Sequence, residues 1–297
     1  MSISKSIIIT GSSGYVAEHL IPLLNKNHNL ICIDLVSSKF TDIVGNIANG
    51  ESFKSLDVSK NYTVINLAAA RFDFDISADK YYEQNVTDHQ NFLKHLSEFN
   101  IDKFIHIGSV ACFDGKLIEY NRGLSCDDAY RSTKFLQGEI IENWCLNNSI
   151  DFAQLMPSAI FDDNPRKDTN IGKLQSISKF IPFIPKIDIR KSLTYMPHFV
   201  DFIFQMTFNK KTGTYITIEE PVKTVTEIIK QNTKTKLYAI PIPFLKEILK
   251  VLSYLILGIW KILKIDLKLY PNRVVKLFKD TSYDWINDVD RELYRRQ

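Results

Sequence analysis

The sequence predicts a doubly wound α/β protein built on a parallel sheet. Short apolar runs of strand type alternate with helical stretches through the first half, and a glycine turn joins the first strand to the first helix. Ser6–Thr10 is a short apolar run that stops at glycine. Tyr15–Asn25 follows with helical spacing, its apolar positions being Val16, Leu20, Leu23 and Leu24. Asn29–Leu35, Tyr62–Leu67, Lys103–Ile107 and Phe152–Met156 read as further buried strands. Helical stretches are expected at 79–99 and 129–146. Beyond Pro157 the pattern loosens into prolines and scattered Lys and Arg, with a strand expected at Tyr215–Ile218 and a helix at Thr224–Lys230. The division that follows is a doubly wound α/β domain over 1–157 and a smaller C-terminal lobe over 158–297, the chain being free to cross back between them.

Composition bounds the class. The chain has 297 residues, enough for a substantial core, with 45% hydrophobic and 24% charged residues, ordinary globular usage. A formal charge of +3 is too small to argue for nucleic acid. Cys32, Cys112, Cys126 and Cys145 show no metal spacing and suit free thiols in a reducing cytoplasm. The opening MSISKSIIIT lacks the long apolar core of a signal peptide. The longest uncharged apolar run near the C-terminus, Val251–Trp260, is about half of what a membrane span needs.

The loop after the first strand is Thr10-Gly11-Ser12-Ser13-Gly14-Tyr15-Val16-Ala17. Gly11 permits a tight turn, and Gly14 lets backbone approach a pyrophosphate at the positive end of the helix. Ala17 is small enough for close helix–strand packing. A structural turn would also contain such glycines; the strand before and the helix after favour cofactor binding, which makes 1–157 a Rossmann-type dinucleotide-binding domain and leaves 158–297 as the substrate-binding lobe. Asp34 follows Gly14 by 20 residues, at the end of the second strand, where an acid accepts hydrogen bonds from the adenosine ribose. A carboxylate there repels a 2′-phosphate, so NAD is expected rather than NADP. Asp57 and Val58 are expected after the third strand, beside the adenine.

Tyr130-Arg131-Ser132-Thr133-Lys134 sets a tyrosine and a lysine one helical turn apart on one face. A phenol has a pKa of about 10, and a neighbouring ammonium stabilises the phenolate and lowers that value. Ser109 ends the strand KFIHIG, 21 residues upstream, where a hydroxyl can orient the reacting oxygen. Each element has an ordinary structural explanation, a surface pair or a strand-end cap. The set in this order and spacing is harder to reach by chance.

TGSSGYVA, Asp34, NLAAA (Asn66–Ala70), GSVACF (Gly108–Phe113) and YRSTK together resemble the NAD-dependent epimerase/dehydratase family, the extended short-chain dehydrogenases. The resemblance is most specific over residues 7–157 and implies Ser109, Tyr130 and Lys134 as the catalytic set. It implies that Gly11, Ser13, Gly14, Tyr15, Val16, Leu67, Ala68, Ala69 and Pro157, with Tyr130 and Lys134, line the cofactor. It implies that Arg71 and Arg190, with Ser109 and Tyr130, meet the substrate, and that Asn85 supports the site. Val110 and Ala111 stand where sugar dehydratases of the family carry an Asp-Glu pair, which disfavours elimination of water. Met156 and Pro197-His198 also depart from the family pattern.

Arg166, Lys167, Lys173, Lys179, Lys186, Arg190 and Lys191 are dense enough to bind a sugar diphosphate, although a solvated loop would look the same. Residues 241–280 hold eight Lys/Arg against three Asp/Glu, interleaved with Phe244, Leu245, Ile248, Leu249, Leu252, Leu255, Ile256, Ile259 and Trp260 at helical spacing. That stretch reads either as a packed helix with solvated lysines or as an interfacial helix on an anionic membrane. With KSLTYMPHFVDFI it resembles bacterial 4-epimerases acting on polyprenyl-diphosphate-linked amino sugars in surface-polysaccharide assembly. The expectation is therefore an NAD-dependent 4-epimerase of a nucleotide- or lipid-linked sugar, cytoplasmic or peripheral on the membrane's inner face, with a homodimer left open. A 4-ketosugar reductase using NADH or NADPH is the alternative on the same residues. A non-catalytic cofactor-binding regulatory protein is the alternative of another class.

Overall fold

The computed structural model describes residues 4–72, 75–163, 183–219, 221–231, 238–263 and 278–281. The chain opens with β1 (Ser6–Thr10), α1 (Tyr15–Leu24), β2 (Asn29–Asp34) and β3 (Ile43–Val44). β4 (Asn61–Asn66), α2 (Ala78–Tyr82), a π turn (Glu83–Thr87), α3 (Asp88–Leu96) and β5 (Asn100–Ile107) come next. α4 (Ala111–Gly115), α5 (Cys126–Asn147), β6 (Asp151–Pro157) and β7 (Ala159–Phe161) complete this stretch. Later come β8 (Phe183–Pro185), β9 (Arg190–Lys191), β10 (Leu193–Tyr195), α6 (Met196–Phe208) and β11 (Gly213–Thr217). β12 (Lys223–Thr224), α7 (Val225–Gln231), β13 (Tyr238–Ile240) and α8 (Leu245–Leu263) close the described chain.

Seven strands form one sheet in the order β11-β6-β5-β4-β1-β2-β3, and every adjacent pair is parallel. The doubly wound α/β class expected from the sequence is therefore present. From β1 the chain winds outward to β3, then crosses to β4 and winds the other way. The order reverses between β1 and β4, and the crevice beyond the carboxyl ends of those strands is where such sheets bind ligands.

Side chains alternate across the sheet, so each strand feeds two cores. Ile7, Ile9, Ile65, Ile105, Ala153 and Leu155 pack with Leu20 of α1 and Phe199 and Ile203 of α6. Ile8, Val64, Phe104 and Phe152 pack with Phe92 and Leu96 of α3 and Ile141 and Cys145 of α5. Each fully buried Ile, Leu, Val or Phe among them contributes about 1.5–3 kcal/mol.

The second face turns polar near its carboxyl edge. Thr10, Asn66, His106 and Gln154 are register partners across β1, β4, β5 and β6, and all four are buried. Thr10 Oγ1 donates to Asn66 Oδ1 at 2.6 Å, and Asn66 Nδ2 lies 3.2 Å from His106 Nδ1. His106 Nε2 finds no partner among the described residues. Burial, reinforced by the charge of Lys134, holds the His106 pKa well below its ordinary value.

The structure departs from the sequence expectation in several places. The helix expected over 79–99 is split by the π turn, the two-residue β3 and the short α4 were not anticipated, and α6 begins inside the KSLTYMPHFV stretch, with a proline at a helix N-terminal position.

The described residues divide into two compact units. One takes in those up to Ile160 together with Thr194–Ile218; the other takes in those within Phe161–Leu193 and Glu219–Trp285. In the second unit β12 pairs antiparallel with β9 and β13 parallel with β8, over a small core of Ile184, Ile187, Val225 and Ile229 joined by Leu245.

Candidate active site

The glycine loop is fixed by contacts that only glycine admits. Gly11 has φ of +73°, and a Cβ there would lie 2.8 Å from both the Leu67 carbonyl carbon and the Ala68 nitrogen. Gly11 N donates to Ile33 O at 2.9 Å, and Leu67 N donates to Thr10 O at 3.1 Å. The turn is thus clamped between the ends of β2 and β4. Helix α1 starts at Gly14, which is extended and supplies no capping side chain. Its positive end, with Tyr15 and Val16 as first residues, opens at the carboxyl edge of the sheet. The Asp34 carboxylate accepts from Ser13 N at 2.8 Å and from Val36 N at 3.0 Å. It holds the loop in place and keeps a negative charge at the end of β2. Ala17 is fully buried against the sheet.

Helix α5 carries the tyrosine and the lysine, and Ser125 opens it by accepting from Asp128 N. The Lys134 side chain is only 3% exposed. Its Nζ donates to Ile107 O at 3.2 Å and to Gln137 Oε1 at 2.5 Å. Burial, partly opposed by Cys112, brings the Lys134 pKa down to about 8. The Tyr130 ring meets Phe72 and Tyr81 edge-on, with centroids 5.5 and 5.7 Å away. Ser109 follows β5 by two residues, and its Oγ accepts from Ala111 N at 3.2 Å at the start of α4. Val110 N donates to Pro157 O at 3.1 Å, which ties the Ser109 loop to the end of β6. A Cβ on Gly115 would lie 2.1 Å from Arg131 O, so α4 packs backbone against backbone on α5.

Leu67, Ala68 and Ala69 leave β4 beside the glycine loop. Ala70 N donates to Asn85 Oδ1 at 2.8 Å, and Asn85 Nδ2 donates to Thr133 Oγ1 at 3.1 Å. The π turn carries Asn85 between the strand end and the helix of Tyr130 and Lys134. Arg71 is exposed, and its carbonyl accepts from the Tyr81 hydroxyl at 3.4 Å.

Two expected residues lie elsewhere. Asp57 and Val58 precede β4 instead of following a strand. Tyr62 Oη donates to Asp57 O at 3.1 Å, and Asn100 Nδ2 donates to Val58 O at 3.2 Å. Tyr62 and Asn100 stand at the amino ends of β4 and β5, the edge opposite the glycine loop. The residues that follow β3 are Gly45, Asn46 and Ile47. Gly45 N donates to Asp34 O at 2.8 Å, and Asn46 Nδ2 donates to Asp88 Oδ2 at 3.3 Å. The run TDIVGN was the available signal, and it is too short to announce a strand. Arg190 belongs to the second unit, where it is ion-paired with Asp280 at 3.8 Å. There Lys186 pairs with Asp188 at 3.0 Å, and Lys191 Nζ donates to Lys279 O. Arg166, Lys167, Lys173 and Lys179 lie outside the described residues. No group of three or more His, Cys, Asp or Glu side chains is arranged for a metal among the described residues.

A glycine turn at the positive end of a helix, an acid ending the second strand and the switch point between β1 and β4 define a dinucleotide-binding protein of the dehydrogenase class. The sequence matches the NAD dependent epimerase/dehydratase family over residues 7–182, and the chain belongs to that family. Its cofactor is NAD, and the loop, the helix end and Asp34 fit that group. No curated protein sequence matches the chain. Among solved structures it resembles a UDP-N-acetylglucosamine 4-epimerase from Methanobrevibacter ruminantium M1 in complex with UDP-N-acetylmuramic acid. The TM-score is 0.64 at 15% identity, over 80% of this chain and 86% of that one. It also resembles a UDP-glucuronic acid 4-epimerase from Bacillus cereus in complex with NAD, with TM-score 0.61, 18% identity and coverage of 80% and 87%. A short-chain dehydrogenase/reductase superfamily protein from Agrobacterium tumefaciens with bound NAD gives 0.63, 15%, 80% and 85% in the same measures.

Proposed function

We propose that the protein is an NAD-dependent 4-epimerase of a sugar carried on a diphosphate, with Tyr130, Lys134 and Ser109 as its working residues. The observation that carries this is Lys134: an amine buried among neutral groups, one helical turn from Tyr130 and bonded to the strand that leads to Ser109. NAD, when bound, supplies the acceptor and donor of hydride. Tyr130, as phenolate, takes the proton of the sugar 4-hydroxyl and later returns it. The Lys134 ammonium lowers the energy of that phenolate, because the groups that hold it, Gln137 and the Ile107 carbonyl, are neutral and leave its charge uncancelled. Ser109 hydrogen-bonds the reacting oxygen and steers it to Tyr130. Val110 and Ala111 supply no carboxyl for elimination, so the chemistry at this site is oxidation and reduction without loss of water.

The solved relatives named for UDP-sugars support a sugar diphosphate as substrate. A lipid carrier is supported by α8, where Ile248, Val251, Leu252 and Leu255 are 46–61% exposed and Lys246 and Lys250 are interleaved with them. No helix among the described residues is long and apolar enough to cross a membrane, so the contact would be peripheral. The test is product analysis by mass spectrometry and NMR, on a panel of nucleotide-linked and lipid-linked sugars with a trace of NAD⁺. An epimerase converts substrate to its 4-epimer with no net cofactor used. Conversion that needs one NADH or NADPH per product identifies the ketosugar reductase instead, and no conversion identifies a binding protein.

A further inference from the structure

Lys134 is held by a chain of neutral side chains behind the site. Gln137 Oε1 accepts from Lys134 Nζ at 2.5 Å, and Gln137 Nε2 donates to Ala68 O at 3.2 Å and lies 2.8 Å from His89 Nε2. His89 Nδ1 lies 3.0 Å from Gln84 O, inside the π turn. A protonated Lys134 sets the assignment, because its ammonium only donates and Gln137 must then present its oxygen to it. His89 carries its proton on Nδ1 and donates it to Gln84 O, so Nε2 accepts from Gln137. Both protons of the Gln137 amide are then used, and its oxygen is left to face the ammonium. A flipped amide would set two donors against each other at Lys134 and turn its oxygen, an acceptor, towards Ala68 O. His89 and Gln137 are buried with Lys134, and burial brings the His89 pKa down to about 3, so the imidazole is neutral at working pH.

We propose that Gln137 is the positioning residue for the Lys134 ammonium and that His89 locks Gln137 in the orientation this requires. The proposal rests on the reading of Lys134 as the support of Tyr130. A neutral acceptor suits that task better than an acidic one. It keeps the amine protonated and pointed, yet leaves its positive field undiminished at the phenol. The other titratable groups in electrostatic contact with the amine are Cys112 on α4 and His106 on β5, with Tyr130 one turn earlier on α5.

The test compares Gln137→Leu, Gln137→Glu and His89→Leu by two readouts. One is the titration of the Lys134 Nζ resonance in ¹⁵N-lysine-labelled, NAD-free protein, assigned with Lys134→Arg. The other is the pH profile of kcat. Gln137→Leu should lower the Lys134 pKa by about one unit or more, since a stabilising acceptor is lost. Gln137→Glu, nearly the same in shape, should raise it by a similar amount. The alkaline limb of kcat should move the same way in each variant, and kcat should fall about tenfold or more in both with a smaller change in KM. His89→Leu should act like Gln137→Leu, more weakly. A Lys134 titration that stays fixed while melting temperatures drop would overturn the proposal and leave these residues as packing. If the titration moves in opposite directions but turnover does not follow, the positioning role stands, and it is the part of Lys134 in the chemistry that fails.

Discussion

Replacing Lys134 with methionine keeps most of the apolar stem and removes the amine, which makes the energetics of burying that amine measurable. The ordinary lysine value is 10.5 and the folded value about 8. The folded amine therefore binds its proton more weakly than the unfolded one. Between those two values the unfolded chain holds more protons, so the folded state gains stability as pH rises. Below pH 8 the full difference acts against folding, and at 1.36 kcal/mol per unit it comes to about 3 kcal/mol. About 1 kcal/mol of that should be recovered between pH 7 and pH 9, and the methionine variant has none to recover. The assay is thermal melting of NAD-free wild type and Lys134→Met across that range. The melting temperature of wild type minus that of the variant should climb by about 2–4 °C from pH 7 to pH 9. Differences that stay flat with pH would refute the argument, showing that Lys134 is solvated or paired with a charge.

Tyr130→Phe should lower kcat by about 10²–10⁴-fold while leaving NAD affinity nearly unchanged, because it deletes only the acid/base oxygen. Ser109→Ala should cost less, at most about 10²-fold, and both are read by steady-state kinetics on the identified sugar. Calorimetric titration should show NAD binding at least tenfold more tightly than NADP, about 1.4 kcal/mol, because Asp34 confronts the 2′-phosphate with a like charge; equal affinity would remove that role for Asp34. Flotation with anionic vesicles should recover the protein at low salt and release it as salt rises. Lys246→Gln with Lys250→Gln should weaken that binding, each lysine near such a surface being worth about 1 kcal/mol. Indifference to vesicles would make α8 a packed helix.

The parts of this molecule that a reader of the sequence sees first are those where the backbone itself is constrained. Gly11 announces the turn because its positive φ and its approach to Leu67 and Ala68 exclude other residues. β1, β4, β5 and β6 stand out because strands buried on both faces are runs of apolar residues. β3 escapes notice because a two-residue edge strand carries no periodicity. Asp57 and Val58 are then assigned to the wrong edge, since the unseen strand shifts the count. The site's supporting layer is harder to see. Asn66, His106 and Gln154 each sit alone in an otherwise apolar run, and a lone polar residue in a strand looks like noise. Only the register, which sets them side by side with Thr10, turns three exceptions into one row. Gln137 and His89 are farther still from recognition, for their roles come from contacts between helices that are 48 residues apart in the chain.

The π turn at Glu83–Thr87 has a consequence for how this region tolerates insertions and deletions. A π turn holds one residue more than the α-helical turn it replaces, and each helical residue advances about 100° around the axis. Ala78 and Tyr81, ahead of it, pack with Ala70 and Ala129. Phe92 and Leu96, behind it, pack with Phe104 and Ile141. The widened turn absorbs the extra residue as slack, so both faces keep their register. Removing one residue from 83–87 would return the segment to an α-helical count and keep the two faces in phase, but it would displace Asn85, which the widened turn carries between Ala70 N and Thr133 Oγ1. Tyr81 could still sit beside Tyr130 and Phe92 against Phe104, so a single-residue deletion here should spare the fold and its melting temperature while slackening the tie between the end of β4 and the helix of Tyr130 and Lys134.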